Sequence, residues 1–171
     1  QSRKAVYQAA QIAHSSRALA DEIATMERAV RQTHIRGDSS WLEGYFRAHQ
    51  QFENTAASLF ELSLHTDQRQ LLMRLKEQEA SLFHKITMVR QSPEELRDLI
   101  GNFVTLRDSA RAFSTLGYAL IEREVSEMQD MAGLDISYMR REAVRASGAN
   151  IPEKPGDLLV RAGRKGQKTG G

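Results

Sequence analysis

The chain has 171 residues, 40% of them apolar and 27% charged, with no cysteine, three prolines and 6% aromatics. That length holds a sizeable core within one domain, and the missing cysteine excludes disulfide frameworks, thiol nucleophiles and cysteine-ligated zinc. Apolar residues neither alternate as in a β-sandwich nor run uninterrupted for the roughly 18 residues of a membrane span, so an all-α chain is expected. The opening Gln1-Ser2-Arg3-Lys4 is not that of a signal peptide, and a start without methionine leaves open that the chain was cut from something longer.

The first segment is predicted to be helical from about Arg3 to Ile35. Val6, Ala9, Ala13, Ser16, Leu19, Ile23, Met26 and Val30 recur every three or four residues, which puts them on one helical face. Gly37-Asp38-Ser39 ends it, with glycine taking the left-handed position and Asp38 or Ser39 capping the next helix. A second helix is predicted over about Ser40 to Leu64, with Leu42, Tyr45, Phe46, Phe52, Ala56, Leu59, Phe60 and Leu64 inward. Thr66 or Asp67 is then the expected cap of a third helix running to about Val89.

That third helix turns Leu71, Leu72, Leu75, Leu82, Ile86 and Val89 inward, but Gln78 and Glu79 fall where its apolar stripe should pass. Ser92-Pro93-Glu94-Glu95 reads as a capping box that starts a fourth helix, with Pro93 at its first position. From Leu96 through Phe103, Leu106, Ala110, Phe113 and Gly117 to Met131 the rhythm of three and four is nearly unbroken. Short connections between long helices favour antiparallel neighbours. The expected fold is therefore an antiparallel up-down-up-down four-helix bundle with long first and fourth helices, followed by a basic C-terminal tail. The middle helices are too short to cover the outer two, so self-association through the free ends of helices one and four is expected.

Charge and glycine divide the chain at one place. Residues 133–171 hold eight basic and four acidic side chains, whereas residues 1–132 hold 16 basic and 18 acidic ones. Seven of the eleven glycines and two of the three prolines also lie after residue 132. The expected division is a helical domain over 1–132 and a tail over 133–171, with a short helix at about Tyr138 to Ala146 and irregular chain from Ser147. The basic pI of about 9.1 thus comes from the tail, which reads as a solvated linker, and nucleic acid is a disfavoured partner.

No motif points to catalysis within these residues. His14, His34, His49, His65 and His84 lack the Glu-x-x-His spacing of a di-iron bundle, so each reads as solvated or at the core edge rather than as a metal ligand. Phosphate-binding glycine loops, nucleophile elbows and kinase boxes are missing from the sequence, and no cofactor or metal is expected. Glu27 and Arg31 are i,i+4 neighbours in the favourable order, with Arg28 and Gln32 beside them. They form either a surface ion pair of small worth or part of a functional contact. Gly101 and Gly117 stand inside the fourth helical pattern, where glycine costs about 1 kcal/mol relative to alanine. Both are candidates for close helix packing.

The run Met26-Glu27-Arg28-Ala29-Val30-Arg31-Gln32, continued by Thr33-His34-Ile35-Arg36-Gly37-Asp38, resembles the end of helix one in extracytoplasmic sensor domains of bacterial two-component histidine kinases. Tyr45, Phe52, Leu59 and Leu62 resemble the rhythm of the same family's second helix. The resemblance covers residues 1–132 and implies a periplasmic domain of an inner-membrane kinase, set between two membrane helices and relaying a stimulus through helices one and four. Its implied catalytic modules lie outside these residues. A homodimer is implied, with Glu27, Arg28, Arg31 and Gln32 as the signal or partner-contact residues. The stimulus is left open between a small polar ligand, an extracytoplasmic protein and a state of the membrane. A chemoreceptor ligand-binding bundle and a cytoplasmic helical adaptor for protein or nucleic acid are the competing readings.

Overall fold

The computed structural model describes residues 2–132 and 136–147. Among these every regular element is helical. Helix α1 spans Ser2–Arg36, α2 Glu43–Phe60, α3 Thr66–Met88, α4 Asn102–Met131 and α5 Ile136–Ser147. Two 3-10 segments, Ser39–Leu42 and Pro93–Leu99, precede α2 and α4. The chain divides into two compact units, Gln1–Glu124 and Val125–Gly171. The expected change of character at residues 133–135 and the tail from residue 148 lie outside the described residues. The second unit includes α5, where Arg145 donates to Glu142 at 3.1 Å.

The first unit is organised by one apolar core. In α1 the buried positions are Ile12, Ser16, Leu19, Ile23, Met26, Val30 and Thr33, a strict three-four repeat. The hydroxyls of Ser16 and Thr33 donate to the carbonyls of Ile12 and Ala29, so neither is buried without a partner. Tyr45, Phe52, Ala56 and Leu59 from α2 meet Leu72, Leu75, Leu82 and Ile86 from α3 and Phe103, Leu106 and Phe113 from α4. Each large apolar side chain fully withdrawn from water contributes roughly 1.5–3 kcal/mol. The stripe starts later than its sequence spacing suggests: Val6 is 43% exposed and Val125, far along α4, 41%.

The turns follow local chemistry. Gly37 has φ +65°, the left-handed geometry that lets α1 stop, and its N–H returns to the Thr33 carbonyl at 2.9 Å. The Asp38 carboxylate then accepts from the Ser40 N–H at 3.0 Å and caps the first 3-10 segment. These hydrogen bonds hold the Asp38 carboxyl below its ordinary pKa. At the start of α3 the cap is His65, not Thr66 or Asp67 as expected; its N–H donates to the Gln68 side chain at 2.9 Å.

The fourth helix differs most from expectation. Pro93 takes the first helical position as expected, but of the 3-10 segment, and its N-cap Ser92 makes no side-chain capping hydrogen bond. The Ser92 carbonyl instead accepts from the Glu95 N–H at 2.9 Å and opens the 3-10 segment. Leu96, three residues before Leu99, is fully buried from that segment, and the tighter winding stacks side chains at i and i+3. The α-helix begins only after Gly101, where the Asn102 side chain donates to the Leu99 carbonyl at 3.1 Å. Gly101 is therefore not a helix-packing residue. It is exposed, and a Cβ built there meets no heavy atom within 4 Å. Gly117 is buried within α4, and a Cβ there would sit 3.9 Å from both Ile12 and Gln68, an ordinary contact.

Candidate functional site

Of the four residues expected to carry a signal or partner contact, Glu27 reaches α4, Arg31 pairs with Glu27 along α1, and Arg28 and Gln32 border the start of α2. Glu27 accepts from Arg31 of the same helix, Nε at 3.2 Å and Nη2 at 2.8 Å. Its other oxygen accepts from Nη1 of Arg107, on α4. Only 13% of the Glu27 side chain is exposed, against 54% for Arg31 and 43% for Arg107. Burial alone would raise the Glu27 pKa, but the hydrogen bonds and charges of the two arginines outweigh it and hold the carboxyl below its ordinary value. The expected surface pair is thus part of an interhelical ion cluster. Arg107 carries no motif, and the sequence shows nothing that links it to Glu27.

Arg28 and Gln32 lie one step round α1. The Arg28 guanidinium donates to Thr25 Oγ1 at 3.3 Å, and the Gln32 carbonyl accepts from Arg36 at 3.2 Å. Both border an open groove between α1 and the start of α2, which Trp41 and Arg47 close from the other side. The Arg36 guanidinium lies 4.3 Å from the centroid of the Trp41 ring, within cation–π range.

A second polar cluster has almost no counterpart in the sequence pattern. His49 of α2 and Glu79 of α3 share a 2.6 Å hydrogen bond between Nδ1 and Oε2, with side chains only 10% and 2% exposed. The imidazole stacks on Phe83 at 3.7 Å between centroids, and its Nε2 lies 3.6 Å from Glu53. Burial pushes the Glu79 carboxyl up, with His49 opposing and Glu53 adding to the rise. Burial, and next Glu79, raises the nearby Tyr45 phenol as well. His49 is therefore neither solvated nor at a mere core edge. The one sequence signal is Glu79, which interrupts the apolar stripe of α3.

Other polar links tie the helices at intervals. Thr55 donates to Glu22 at 2.8 Å, Ser109 to Gln78 at 2.6 Å and Arg17 to Tyr118 at 3.3 Å. The imidazole N–H of His34 donates to the Pro93 carbonyl at 3.4 Å. Among the described residues no group of His, Asp and Glu side chains could hold a metal ion, and no helix is long and apolar enough to cross a membrane. No protein-family model, curated protein or solved structure matches the chain.

Proposed function

We propose that this chain is the extracytoplasmic sensing domain of a membrane-bound two-component histidine kinase, an antiparallel up-down-up-down four-helix bundle that relays a stimulus through α1 and α4. The observation that carries the reading is the Glu27–Arg107 contact. It joins the motif that resembles the sensor family to the second of the two helices that would lead to the membrane. A relay needs two packings of nearly equal energy, and a stimulus biases them only through unequal affinity. A half-buried ion cluster between two rods is a contact that can be remade in that way.

The pairing of residues supports the up-down arrangement. Glu22 meets Thr55 while Ala29 lies against Gly44, so numbers rise along α1 as they fall along α2. Arg17 with Tyr118 and Glu27 with Arg107 give α1 and α4 the same opposed sense. Exposed Val6 and Tyr7, at 43% and 64% near the start of α1, favour a homodimer formed through the ends of α1 and α4. The kinase modules belong to the parent protein, in the inner membrane, with this domain in the periplasm.

The test is autophosphorylation of the full-length parent protein in membrane vesicles. Glu27→Gln and Arg107→Gln should shift its basal level in the same direction, each by several-fold. A parent without hydrophobic segments flanking this domain, or with no histidine kinase module, would overturn the reading.

A further inference from the structure

We propose that the groove between α1 and the start of α2 binds a small organic anion, held by the guanidinium groups of Arg28 and Arg47. The inference stands apart from the signalling reading, because it concerns binding to this chain alone.

The floor of the groove is made of small residues. Gly44 faces Ala29, and a Cβ at position 44 would lie 3.7 Å from the Ala29 Cβ and 3.9 Å from Nη2 of Arg47. Position 44 therefore sends no side chain into the groove it lines. Its two walls carry positive charge. Arg28 donates to a neutral hydroxyl and has no carboxylate within ion-pair distance among the described residues. Arg47 has one acidic neighbour, Glu43, at a long 3.3 Å, and both side chains are more than two-thirds exposed. Screened in that way, Glu43 neutralises little of the local charge.

The rim sets the rest of the chemistry. Gln32 uses its carbonyl oxygen on Arg36, which leaves its NH2 as a donor. The Trp41 indole, 45% exposed, adds an apolar wall. Guanidinium groups present paired N–H donors that match the oxygens of a carboxylate or a phosphate. The arrangement suits an anionic head between the arginines and a flat apolar body against Trp41 and Ala29. Carboxylate and phosphate heads share this chemistry, and the probes distinguish them.

Isothermal titration calorimetry on the full chain at low ionic strength tests the proposal with benzoate, phenyl phosphate, inorganic phosphate and benzylammonium. Benzoate or phenyl phosphate should bind saturably at one site, whichever head is preferred, and more tightly than inorganic phosphate, while benzylammonium gives no saturable heat. Arg28→Gln and Arg47→Gln should each weaken binding by about tenfold, the loss of one charged hydrogen-bonding partner. Glu43→Gln should tighten it, and Gly44→Leu should abolish it by filling the floor; circular dichroism confirms that each variant is folded. The proposal fails if neither aromatic anion saturates, if benzylammonium binds equally well, or if folded Arg28→Gln and Arg47→Gln bind as the parent does.

Discussion

Glu79 and His49 are buried against one another 2.6 Å apart, on helices whose other buried residues are mostly apolar. Removing one partner leaves the other desolvated and unpaired, so Glu79→Ala or His49→Ala should each cost about 3–5 kcal/mol. Replacing both, as His49→Phe with Glu79→Leu, should recover most of that loss, because well-packed apolar residues of similar size often match a buried pair. Urea unfolding of the parent, the two single variants and the double variant compares these losses. A double variant as unstable as the sum of the singles would mean that packing, not pairing, sets the cost.

The Glu27–Arg107 link is half exposed and should be worth less. A double-mutant cycle with Glu27→Gln and Arg107→Gln should give a coupling of about 1 kcal/mol at low salt. Raising the salt should shrink it, since exposed charges are screened over roughly 10 Å at 0.1 M. Thermal melts of the cycle at two salt concentrations check both the size and the trend.

Glu22 gives the fold a pH dependence of defined sign. Burial pushes its carboxyl up to about 7; Thr55 opposes the rise and Asp21 adds to it. Its Oε1 is buried with no hydrogen-bond partner among the described residues. Between the ordinary value of 4.5 and about 7 the folded chain keeps a proton that the unfolded chain has lost. Stability should therefore fall as pH rises through that window. Glu79, also raised, acts in the same direction. In Glu22→Gln the drop in melting temperature from pH 5 to pH 8 should be smaller than in the parent.

Three glycines should separate by geometry. Gly117→Ala should stabilise the protein by roughly 0.5–1 kcal/mol, since the added Cβ makes ordinary contacts and alanine is the better helix former. Gly37→Ala should destabilise by roughly 1 kcal/mol, because φ +65° is strained for any residue with a Cβ. Gly101→Ala, in open space, should change little. Chemical denaturation of the three variants gives the ranking directly.

Much of the fold was legible in the sequence because it rests on local spacing. The repeat from Ser16 to Val30 and the Gly37-Asp38 turn are each written within a few residues, and the structure keeps both. The stretch from Leu96 to Phe103 was not legible in the same way. Steps of three and four residues are common to a 3-10 turn followed by an α-helix and to one unbroken helix. Partners contributed by different helices were harder still. Thirty residues separate His49 from Glu79, and eighty separate Glu27 from Arg107. Half of the expected contact set, Glu27 and Arg31, joins Arg107; Arg28 and Gln32 turn instead to the groove beside Trp41.

Trp41 is the chain's single tryptophan, and it sits half-exposed beneath the Arg36 guanidinium where α1 hands over to α2. Its intrinsic fluorescence therefore reports on one known corner of the molecule without any label. A quencher such as acrylamide would measure how tightly that corner is closed. A shift in emission would show a rearrangement of that junction.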